Sequence, residues 1–117
     1  MKKSKAVLEK DICHLMADFL AQQLGEHASS VDTFLSGNTV TVRATNCLSP
    51  GERNLVQNEQ DWHLLQEFKD RQFERVKLQL KERLEQITDC EVLNLVSVMG
   101  QDGMRFEVVT LSKNFEN

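Results

Sequence analysis

A chain of 117 residues, 40% apolar and 27% charged, is the size of one domain that buries its own core without disulfides or a structural metal. A net charge of −4 argues against nucleic acid or an anionic bilayer as an electrostatic partner, and Lys2, Lys3 and Lys5 read as solubilising lysines beside a frayed start. No apolar run is long enough to span a bilayer, and Glu9, Lys10 and Asp11 interrupt any signal-peptide core, so a cytoplasmic protein without direct membrane insertion is expected.

The first predicted element is a helix. Val7, Leu8, Ile12, Leu15, Met16, Phe19 and Leu20 recur at three- and four-residue spacing, and Gly25 is placed to end it. The period then drops to two. Val31, Thr33 and Leu35 alternate with Asp32, Phe34 and Ser36, with Phe34 out of phase for a clean apolar face. Gly37-Asn38 marks a hairpin turn, after which Val40, Val42 and Ala44 alternate with Thr39, Thr41 and Arg43.

Leu48-Ser49-Pro50-Gly51-Glu52 is the sharpest local signal. Ser49 is an N-cap, Pro50 suits the first helical position, and Glu52 three residues on completes a capping box. A short helix through Leu55 and Val56 follows. From about Asp61 to Ile87 a long helix carries the stripe Trp62, Leu65, Phe68, Phe73, Val76, Leu80, Leu84 and Ile87. Its six basic residues from Lys69 to Arg83 are nearly cancelled by acids, and the pattern predicts a solvated face. A second hairpin closes the chain. Val92 to Met99 forms an apolar strand, Gly100-Gln101-Asp102-Gly103 the turn, and Met104, Phe106 and Val108 alternate with Arg105, Glu107 and Val109.

This order predicts an α+β domain over 1–117, with 1–5 and 113–117 frayed. It is a four-stranded antiparallel sheet of two hairpins, with the N-terminal helix and the long central helix packed on one face. The hairpins are expected to be neighbours; their strand order does not follow from the pattern.

Candidate chemistry is sparse. His14, His27 and His63 are scattered, and Cys13, Cys47 and Cys90 are odd in number and far apart. Neither set shows the short paired spacing of a metal site or the setting of an activated thiolate, so no metal, cofactor or catalytic residue is expected. No Gly-rich loop leads from a strand into a helix, and Asp102 reads as a turn residue. Arg43, with Thr39 and Thr41, is the one isolated candidate for binding an anion or a partner, if it lies on the uncovered side of the sheet.

The run Leu48-Ser49-Pro50-Gly51-Glu52-Arg53-Asn54-Leu55 resembles the Leu-Thr-Pro-x-Glu-x-x-Leu signature of the small bacterial MpsC-like family, formerly a domain of unknown function. The strand-Gly-strand unit Val31–Val42, Phe68-x-x-Arg71 through Leu84-x-x-Ile87-Thr88, and the closing Phe106-Glu107-Val108-Val109 follow its pattern. The chain departs from it at His27-Ala28, where the family has Gly-Pro, and at Asp89, where a Gly is usual. The resemblance implies an accessory protein of a sodium-translocating system that generates membrane potential and serves uptake of inorganic carbon.

The expectation is therefore a non-enzymatic accessory or regulatory interaction protein. A homodimer is expected, and a further protein partner is compatible with it. Its grounds are two open sheet edges, one uncovered face, and more β-branched surface (Val40, Val42, Val96, Val98, Val108, Val109) than one face can use. The alternatives are a small-ligand or anion-binding sensor, and an enzyme with a dispersed Cys–His–Asp site.

Overall fold

The computed structural model describes residues 3–115. Its elements are α1 (Lys5–Leu24), β1 (Ser30–Ser36), β2 (Thr39–Thr45), α2 (Pro50–Leu55), α3 (Glu59–Thr88), β3 (Val92–Met99) and β4 (Arg105–Leu111). The four strands form one antiparallel sheet in the order β1-β2-β4-β3, so the hairpins are neighbours joined through β2 and β4. Both long helices lie on one side of it, as the hydrophobic pattern requires.

Each helix starts and stops for local reasons. Ser4 caps α1 by accepting the Val7 amide, and Gly25 ends it at φ 65°, a left-handed conformation that costs glycine little. Asn58 caps α3 by accepting the Asp61 amide. The far end of α3 closes on Asp89 at φ 55°, where the residue usual in the family would be strain-free. Of the ends expected to fray, Met1, Lys2, Glu116 and Asn117 lie outside the described residues, whereas the Phe115 amide is bonded to the Gly37 carbonyl.

The core lies between the helices and the inner face of the sheet. Leu8, Ile12, Met16, Phe19 and Leu20 of α1 and Phe73, Leu80 and Leu84 of α3 meet Leu35, Val40, Val42, Leu95, Val109 and Leu111. Two expectations need correction. The basic residues of α3 do not all lie on a solvated face: Lys69 is buried, while its neighbour Phe68 is half exposed. The sheet edges are not simply open either. Glu9 of α1 accepts the outward Leu35 amide of β1 (2.7 Å), the Cys13 thiol donates to the Val31 carbonyl, and Glu85 of α3 accepts the Val92 amide of β3. These contacts, with the irregular register at Val92/Asn94, blunt both edges against strand pairing.

Candidate functional site

Two features stand out: a charged centre inside the domain and an apolar outer sheet face. The centre arises from the phase of β4. Arg105 and Glu107 share parity with Val109 and Leu111 and therefore point inward, while Phe106 and Val108 point outward. Arg105 grips Glu26, on the segment after α1, through Nε–Oε1 (2.8 Å) and Nη2–Oε2 (2.7 Å). Its Nη1 donates to the Ser97 hydroxyl (2.7 Å), which donates onward to Glu107 Oε1 (3.0 Å). Lys69 of α3 reaches Glu26 Oε2 and Glu52 Oε2, both at 3.2 Å.

This network explains the signature segment. Ser49 accepts the Glu52 amide and Glu52 accepts the Ser49 amide, so the capping box forms with Pro50 as the first residue of α2. None of α2 is buried. What fastens it is the Glu52–Lys69 pair, the Gln101 amide donating to the Val56 carbonyl, and, just before it, the Cys47 amide donating to the Gly103 carbonyl. Glu52 thus has a second role that its place in a capping box did not reveal. Burial raises its carboxyl, but the Ser49 amide and the Lys69 ammonium outweigh that and hold it below the usual glutamate range.

Other groups respond to the same surroundings. Burial pushes the Glu107 carboxyl up to about 8, against the downward pull of Arg105 and the Ser97 hydroxyl; Glu26 adds to the rise. Burial, with help from Glu26, pushes the Cys47 thiol up to about 11, which keeps it a neutral thiol. Desolvation opposes the charge on Arg105, but its bonds to Glu26 prevail and raise its pKa.

The outer face is the converse. Phe34, Thr41, Val108 and Val96 form one row across all four strands, and Asp32, Arg43, Phe106 and Val98 form the next. The five apolar side chains among them are 37–53% exposed. Phe34, out of phase for the core, is in phase for this surface. Arg43, Thr39 and Thr41 do lie on this side together. The Arg43 guanidinium, however, is already bonded to Asp32 (3.1 Å) and stands 5.5 Å over the Phe34 ring.

His14, His27 and His63 are exposed at separate places on the fold. Among the described residues no group of three or more His, Cys, Asp or Glu is arranged to hold a metal ion, and no helix is long and apolar enough to cross a membrane. Asp102 accepts the Met104 amide within its turn.

These features define a small two-layer α+β domain, with helices on one side of the sheet, charge sealed between the layers and the other side of the sheet open. Residues 4–113 match the model of a family described as the Na+-translocating membrane potential-generating system (MpsC). The chain belongs to that family, which links it to such a system. Comparison with curated proteins and with solved structures returns no match.

Proposed function

We propose that the protein is a cytoplasmic, non-enzymatic accessory module of the sodium-translocating system its family is named for, acting as a homodimer through the outer face of its sheet. The observation that carries this is the two-row apolar surface of Phe34, Val96, Val98, Phe106 and Val108. Blunted edges disfavour self-association by strand pairing and leave the face as the route. The charged side chains in its two rows are Asp32 and Arg43, of opposite sign, so two copies meet there without net repulsion and can exchange the pair across a two-fold axis. Strands of seven or eight residues, four abreast, give a footprint of roughly 25 by 20 Å, about 500 Å² per face, so two such faces together approach the ~1,000 Å² needed for a specific interface. Light scattering tests the reading: Val98→Glu, a change on an exposed position, should halve the mass of the particle. An unchanged mass refutes this interface.

One observation favours a second reading, an anion-binding sensor. A cleft of about 460 Å³ between the start of α1, the end of α3 and the C-terminal segment is lined by Leu8, Ile87 and Phe115 together with three lysines, Lys3, Lys5 and Lys113, and one acid, Asp89. A rise of several degrees in Tm with one small anion from a panel, abolished by Lys113→Gln, supports that reading; a flat panel removes it.

A further inference from the structure

Glu107 is the buried acid without a cation of its own. The centre holds two cations, Lys69 and Arg105, and three carboxyl groups, Glu26, Glu52 and Glu107. Lys69 is taken by Glu26 and Glu52. Arg105 spends two donors on Glu26 and a third on Ser97, and its nearest approach to Glu107 is 3.9 Å. Two cations balance Glu26 and Glu52, so ionising Glu107 leaves the centre one negative charge in excess.

The geometry around Glu107 points the same way. Its residue is 1% exposed, Oε1 accepts from Ser97, and Oε2 has no partner. A bare carboxylate oxygen sealed from water is far costlier than a bare neutral hydroxyl. The groups around it that bear on its charge are Arg105 beside it on β4, Ser97 on β3, Glu26 after α1, and Lys69 of α3 acting through Glu26. Cys47, near Glu26 and Arg105, stays neutral and adds no charge.

We propose that Glu107 is a proton-binding site: its carboxyl is held as the acid in the folded protein, and loss of that proton draws Arg105 from Glu26 toward Glu107. In that step the Glu107 O–H bond breaks, the proton leaves to solvent, and only hydrogen bonds rearrange. Glu26 keeps Lys69, so the centre loosens without losing every partner. Glu107 lies on β4 between Phe106 and Val108, which face outward. One strand therefore carries the proton site on one side and the apolar surface on the other.

Carbon-13 NMR of protein labelled at glutamate carboxyls tests this. One resonance should titrate with a midpoint above about 6.5, outside the ordinary glutamate range, and Glu107→Gln should remove it. Ser97→Ala, which deletes the hydroxyl bond that favours ionisation, should move the same midpoint upward, an assignment that does not depend on the Gln variant folding. If every glutamate titrates below about 6.5, or if an alkaline midpoint survives in Glu107→Gln, the proposal is overturned.

Discussion

Arg105 holds Glu26 with two parallel hydrogen bonds of 2.8 and 2.7 Å across 79 positions of sequence, tying the last strand to the end of the first helix. Both residues are almost wholly buried. Removing one partner leaves the other charge sealed from water, so Glu26→Ala should cost roughly 3–5 kcal/mol. Replacing both, as Glu26→Leu with Arg105→Met, should recover much of that loss. Urea unfolding of Glu26→Ala and of the double variant checks this, and a double variant no more stable than Glu26→Ala contradicts it.

The signature segment separates two contributions. Ser49→Ala removes one capping acceptor and should lower stability by about 1 kcal/mol, with an unchanged urea slope. Glu52→Ala loses its half of the same box and also one of the two partners of Lys69, so it should cost more. Equal losses would mean that the Glu52–Lys69 pair contributes nothing to holding α2.

Stability should depend on pH with a particular sign. Glu107 has an ordinary carboxyl value of 4.5 when unfolded and about 8 when folded. Between those values the folded chain binds more protons, so its contribution is complete below 4.5 and is lost as pH rises to about 8. The loss should approach 1.4 kcal/mol per pH unit within the window, a rough ceiling for one group. Glu52, whose carboxyl is held low, acts in the opposite sense: its contribution is present above 4.5 and fades as pH falls through its folded value. Urea midpoints from pH 4 to 9 should therefore peak near the acid end, and Glu107→Gln should flatten the alkaline limb. A wild-type profile level across that limb contradicts the assignment.

Asp89 closes α3 at φ 55°. Asp89→Gly relieves that conformation and should stabilise the protein by up to ~1 kcal/mol, since the Lys113 contact is to the backbone carbonyl and survives. Thermal unfolding reads the change directly, and a lower Tm rules it out.

The order and kind of the elements were legible because Gly25, Gly37-Asn38, Ser49-Pro50 and Gly100-Gln101-Asp102-Gly103 punctuate most of the boundaries and periodicity marks the long helix between. The charged centre was not. In β4 the alternation is plain, but one phase holds Met104, Phe106 and Val108 and the other Arg105, Glu107 and Val109. The first looks like the core side. The phase is decided by pairing, since Val40 and Val109 face each other across β2 and β4, and by partners distant in sequence that satisfy Arg105. Lys69 was hidden likewise, because Phe68 beside it is the better apolar candidate and only the distant carboxylates of Glu26 and Glu52 make a buried lysine tolerable there. Glu52 was visible as a cap but not as an ion-pair partner.

Sedimentation equilibrium at low micromolar concentration tests the central claim, that the outer face of the sheet takes a second copy of the chain. The wild-type mass should be twice the 13.4 kDa of one chain, and a folded Phe106→Glu variant, whose new charge falls in the middle of the apolar rows, should weigh 13.4 kDa. A wild-type mass of 13.4 kDa at every concentration, or a dimer that Phe106→Glu leaves intact, would contradict it.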